Sequence, residues 1–145
     1  MDTCCYNRPF DDLSQRKIKV EADAVIAIVE LSKKGKILIA SSQFVKHEID
    51  SIKDAKKRTM VLGFYHCDEY HVLNKQIGIK AKYYQKFGLK TFDSLHLATA
   101  ELAKSDFLLT TDADFIKLSF RFAHDTIVTN PYEFMQRGNI NAALS

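Results

Sequence analysis

The chain has 145 residues, 46% hydrophobic and 27% charged, which fits one soluble globular domain over residues 1–145 and leaves no room for a second core. Its formal charge of +3 neither demands nor excludes a nucleic-acid partner, because a mild basic excess matters only where it gathers on one side. No apolar run approaches the roughly 18 to 20 residues that span a bilayer, and "MDTCCYNRPFDD" lacks the basic and apolar stretches of a signal peptide, so a cytoplasmic chain with no membrane partner is expected.

Residues 14–33 put Ile18, Ala22, Val25, Ile28 and Val29 on one stripe and stop at Gly35, which predicts a helix. "KILIAS" reads as a short apolar strand, after which Ser41 or Ser42 caps a helix whose Val45, Ile49 and Ile52 share a face, with Glu48 beside it. Residues 54–87 read as helical, rich in lysine and tyrosine, with a break around "HCDEYH" and an end at Gly88. Thr91 is expected to cap a helix starting at Phe92, "DFLLTT" to form the next strand and "TIVT" the last, and Pro131 suits the first turn of a final helix. Strands that are apolar without alternation are buried on both faces. The predicted fold is therefore α/β, a three-layer α/β/α arrangement around a central parallel sheet.

In an open parallel sheet, functional groups collect beyond the carboxyl ends of the strands. Asp112 and Asp114 follow "FLLTT" directly, Glu48 lies in the helix after "KILIA", Asp93 is in the first turn of its helix, and Asp2 would share that edge if a strand ran into it. Each acid alone reads as a helix-start or loop charge. Together they pose an electrostatic problem, because each pair of anions about 4 Å apart costs roughly 4 kcal/mol at an effective dielectric near 20, so the site must take up protons or a cation. An all-carboxylate cluster favours a hard divalent ion, Mg2+ or Mn2+, able to activate water and to stabilise charge on a phosphate.

Other residues carry less. Apolar neighbours mark His96 as a packed core histidine with no catalytic role, and Cys67, His66 and His71 lack the paired spacing of a zinc site. Cys4 and Cys5 are adjacent and bridge only with strain, so reduced thiols are expected. Alternation aims Thr110 to the same side as Asp112, where it could orient a water. Lys75, Lys82 and Lys86 recur at helical spacing with Tyr83 and Tyr84 nearby, either a solvated face or a surface for phosphates and stacked bases. Lys53, Lys56, Lys57 and Arg58 form a less ordered patch.

In order and spacing, "MDTC", "SSQFVKHEI", "FDSLHLATA" and "LLTTDADF" resemble the acidic motifs of PIN-domain nucleases, and "DTCCYNRPFDD" resembles the opening of one bacterial branch. The resemblance implies a PIN-like fold in which Asp2, Glu48, Asp93 and Asp112 are the catalytic, metal-holding acids, with Thr110 and Asp114 in support. It also implies a metal-dependent ribonuclease, in many members a VapC-like toxin restrained by an antitoxin; RNA and an antitoxin protein are the expected partners, with a homodimer as a further expectation. Two departures stand out. Family members carry an apolar strand before the first acid, whereas Asp2 follows only Met1, so the first strand reads as truncated; and Cys4 stands where a small polar residue, often Asn, is usual.

The leading expectation is an endoribonuclease acting on single-stranded RNA, the toxin of a toxin-antitoxin pair. The alternative is a catalytically silent PIN-like module that binds nucleic acid. A phosphatase of the aspartyl-nucleophile kind is disfavoured by Cys4, which stands where its second aspartate would be.

Overall fold

In the computed structural model, residues 1–137 are described. A short helix α1 (Thr3–Asn7) and a 3-10 turn (Arg8–Phe10) lead into the long helix α2 (Arg16–Lys33), which Gly35 ends in a left-handed conformation at φ 69°. Strand β1 (Ala40–Ser42) and helices α3 (Gln43–Asp50) and α4 (Ala55–Phe64) follow, then strand β2 (Glu69–His71) and helix α5 (Lys75–Gln85). Helix α6 (Thr91–Leu102), strand β3 (Phe107–Leu109), helix α7 (Ala113–Ser119), strand β4 (Ile127–Thr129) and helix α8 (Pro131–Gln136) complete the order.

Polar side chains start most of these helices. The Ser42 hydroxyl accepts from the Val45 amide, Asp54 from Lys56 and Lys57, Asn74 from Ile77, and Asn130 from Tyr132 ahead of Pro131. Each satisfies an amide that the first helical turn leaves without a partner. Helix α6 is different: it begins one residue early, at Thr91, and its N-cap Lys90 supplies no side-chain bond. The predicted break at "HCDEYH" contains a strand, β2. Its short polar sequence gave no apolar run to read, and it is strand only because it pairs with β1.

All pairing is parallel, as the pattern of strands and crossover helices requires. Residues Ala40, Ser41 and Ser42 pair with Glu69, Tyr70 and His71, and Phe107, Leu108 and Leu109 with Ile127, Val128 and Thr129. The two pairs do not join into one sheet; a cleft of about 520 Å3 separates them. Successive strand residues serve opposite layers: Leu108 packs with Ile77, Tyr84 and Leu97 of α5 and α6, while Leu109 packs with Val25, Val29 and Phe134 of α2 and α8. A third cluster of Tyr6, Val45, Ile49 and Val61 ties α1, α3 and α4 together. The result is the α/β layered fold, with helices on both sides of parallel strands and the carboxyl ends of β1 and β3 at a common edge.

Two polar networks brace this frame. The buried Glu21 carboxylate accepts from Arg8 Nε at 3.2 Å, and Arg8 also pairs with Asp11, which Lys57 reaches at 2.7 Å. Asp68 accepts from the Ile39 amide at 2.7 Å and from the Ser32 hydroxyl, linking the end of α2 to the start of both β1 and β2.

Candidate metal centre

Asp2 enters the site in extended conformation, its amide donating to the Leu109 carbonyl at 2.8 Å, so it lies against the end of β3. Although it precedes α1, its carboxylate makes no capping bond to that helix. It is directed inward, 7% exposed, where it accepts from the Thr110 hydroxyl at 2.9 Å. Thr110 is fully buried, and its oxygen also accepts from the Asp112 amide at 3.2 Å. The threonine thus joins Asp2 to the backbone at Asp112; it touches the acid itself.

Glu48 comes from the last turns of α3 and meets α1 and α6. Its Oε1 accepts from the Thr3 hydroxyl at 2.9 Å and from His96 Nε2 at 2.7 Å. His96 Nε2 also lies 3.4 Å from Asp2 Oδ1. Ligand atoms of Asp2, Glu48 and His96 all fall within 4.8 Å of one another. Burial lowers the pKa of His96, but the hydrogen bond to Glu48 and the charges of Asp2 and Glu48 outweigh it and the net shift is upward. His96 is buried, as expected. What its apolar neighbours concealed is that its ring nitrogen faces the acids. The available signal was its position three residues after Asp93, which places both on one helical face.

Asp93 projects from the first turn of α6 and makes no hydrogen bond or ion pair among the described residues. Its carboxyl is pushed up to about 6, first by burial and then by the charges of Asp2 and Asp112. Asp112 caps α7, its Oδ1 accepting from the amides of Asp114 at 2.9 Å and Phe115 at 3.1 Å. Its other oxygen makes no such bond. Asp114 is exposed in the first turn of α7, and only its backbone amide takes part in these contacts. Cys4 lines the same corner: its sulfur accepts from the Thr111 amide at 3.3 Å and lies 3.5 Å from the Thr110 hydroxyl oxygen. Outside the acids, the exposed ring of His47 stacks on Phe92 with centroids 6.2 Å apart and planes 10° apart.

The donor set fits a hard cation. Glu48 Oε2, Asp112 Oδ2 and both oxygens of Asp93 are without hydrogen-bond partners among the described residues, and the mutual repulsion that raises Asp93 is what a divalent ion relieves. Lys75, Lys82, Lys86 and Tyr83 are exposed on or just after α5, which packs along α6. Tyr84 is buried and unavailable for stacking. Lys57 and Arg58 are partly engaged, with Asp11 and with the Ile52 carbonyl. His66, Cys67 and His71 form no metal group among the described residues.

Residues 67–121 match the PIN domain family model. The matched stretch is under half of the chain and contains Asp93, His96, Thr110, Asp112 and Asp114. Asp2 and Glu48 lie outside it, yet their ligand atoms meet that of His96, which lies inside it, and the charge of Asp2 acts on Asp93. PIN domains are generally metal-dependent nucleases, and a nuclease is the activity the match supports. Searches of curated proteins and of solved structures return no match. Among the described residues no helix is long and apolar enough to cross a membrane.

Proposed function

We propose that this protein is an endoribonuclease that hydrolyses phosphodiester bonds in single-stranded RNA, using Mg2+ or Mn2+ held by Asp2, Glu48, Asp93 and Asp112. The observation that carries the reading is the meeting of Asp2, Glu48 and His96, whose ligand atoms lie within 4.8 Å of one another, with the half-buried Asp93 carboxyl raised by burial and by the charges of Asp2 and Asp112. When bound, the ion supplies an acidified water and a counter-charge for the phosphate. The chain's own residues do the positioning. Thr110 fixes one oxygen of Asp2, while Thr3 and His96 fix one oxygen of Glu48 and leave the other free. Lys75, Lys82 and Lys86 attract the RNA backbone, and Tyr83 offers a face to an unpaired base.

The reading extends to a toxin held in check by an antitoxin, which would offer an arginine to the free carboxylate oxygens in place of the ion. A homodimer accords with this reading. The decisive assay is cleavage of a labelled single-stranded RNA by the purified chain with Mg2+, with Mn2+ and with chelator. Metal-dependent cleavage lost in Asp93→Asn supports the nuclease; RNA binding without turnover under every metal condition would instead establish the silent module. Co-purification from the native operon tests for the antitoxin.

A further inference from the structure

Two of the acids have an aromatic residue as their chain neighbour. His47 precedes Glu48 on α3 and Phe92 precedes Asp93 on α6, and where the two helices meet their rings stack, centroids 6.2 Å apart and planes 10° apart. The contact continues inward, because the Phe92 ring also lies 6.5 Å from that of His96, whose Nε2 is bonded to Glu48. A line of three rings therefore runs from the surface to the acids.

The outer end of that line is open. His47 is exposed, Phe92 is 38% exposed, and the His47 ring nitrogens have no hydrogen-bond partner among the described residues. Near-parallel rings at this separation form an offset stack, and the aromatic surface they leave in water gains by taking a third flat ring. Lys90, exposed and two residues before Phe92, makes no ion pair among the described residues, and its charge acts on Asp93. A flat aromatic surface beside a free cation, next to acids whose donors suit a divalent ion, complements a nucleotide: the rings match its base and the cation its phosphate.

We propose that His47, Phe92 and Lys90 form a nucleotide subsite beside the acids, in which one unpaired base of the RNA strand stacks on the pair of rings and Lys90 neutralises a neighbouring phosphate. The subsite rests on the nuclease reading for its ligand and on the ring geometry for its position. Stacking holds the strand against the residues that precede Glu48 and Asp93, so a phosphate next to the stacked base is the one presented to the ion. It also favours single strands, since a base kept in a duplex has no free face to offer. The lysines of α5 hold backbone at any point along the strand, whereas this subsite sets the register.

The test uses the full chain and a short single-stranded RNA in which 2-aminopurine, whose fluorescence falls on stacking, replaces one base at a time, with binding read in Mg2+ by stopped flow ahead of turnover. The natural chain should quench the probe at one position. Phe92→Leu, which keeps apolar bulk but not the ring, should abolish that quenching and weaken binding roughly tenfold or more, and Phe92→Tyr should restore both. Deleting the base at that position should weaken binding to the natural chain by a similar factor and cost Phe92→Leu little more, because two changes to one contact are not additive. Lys90→Gln should flatten the slope of log affinity against log salt by about 0.7. Quenching and affinity in Phe92→Leu within about twofold of the natural chain overturn the subsite; cleavage by that variant then leaves the nuclease reading standing. A natural chain that binds no single-stranded RNA overturns both, and quenching that depends on Phe92 without cleavage in any metal supports the subsite while removing the nuclease reading alone.

Discussion

His96 Nε2 donates to Glu48 Oε1 at 2.7 Å, a bond between α6 and α3 that brings a buried histidine against two acids. Removing it separates two roles. His96→Gln keeps a neutral donor but loses the imidazole whose hold on a proton Glu48 and Asp2 strengthen. Urea denaturation without metal should show a loss of about 1 to 3 kcal/mol, since one partner of a largely buried hydrogen bond to a carboxylate is changed. Excess Mg2+ should recover part of that loss, because the ion supplies a counter-charge to Asp2 and Glu48. An equal loss with and without Mg2+ would make the contact purely structural.

Asp93 has the opposite sign. Asp93→Asn removes a charge repelled by Asp2 and Asp112, so thermal stability without metal should stay level or rise. Metal affinity by calorimetry and RNA cleavage should both fall, cleavage by roughly 100-fold or more, beyond the range for residues that merely support a ligand. Asp114→Asn, at an exposed position, should change either by less than about twofold.

Thr110→Val keeps the β-branched shape but leaves the buried Asp2 oxygen and the Asp112 amide without their shared partner. A stability loss of about 1 to 3 kcal/mol is expected, with Thr110→Ser restoring most of it. Cleavage should follow the hydroxyl: reduced in the valine variant and near normal in the serine variant.

Asp68 provides the pH test, away from the acids. The Ile39 amide and the Ser32 hydroxyl, assisted by His66, hold its carboxyl below the ordinary carboxylate range. Since the folded-state value is depressed, its stabilisation is present above the unfolded value of about 3.9 and is lost as pH falls through the folded value. Asp68→Asn should therefore lower the urea midpoint at pH 7, and the gap from the natural chain should narrow steadily below about pH 4.

Replacing Lys75, Lys82 and Lys86 together by glutamine should weaken single-stranded RNA binding regardless of sequence. The slope of log affinity against log salt should flatten by up to about 2, at roughly 0.7 for each phosphate that is no longer neutralised. An unchanged slope would move the RNA path off α5.

The sequence by itself marked most of the elements and singled out the acids as candidates. Apolar runs such as "FLLTT" marked the strands, and Ser42, Asn74 and Asn130 marked helix starts, because periodicity and capping are local properties. Placing Glu48 after one strand and Asp112 after another likewise needed only their neighbours. The rest depended on distant pairs. Strand β2 exists because "EYH" meets β1, with little apolar signal of its own. His96 reads as core by its neighbours Leu95 and Leu97, and only the approach of α3 and α1 turns it toward Glu48 and Asp2, contacts 48 residues apart for the glutamate pair. Thr110 reads as a β-branched strand residue until Asp2, 108 positions away, accepts its hydrogen bond. The separation of the two strand pairs is a property of edges drawn from residues 37–42 and 106–109, far apart in the chain. Local sequence encodes which residues can form an element or hold charge; which groups meet is decided by the packing of layers, where the gain from burial fixes partners that no short stretch specifies.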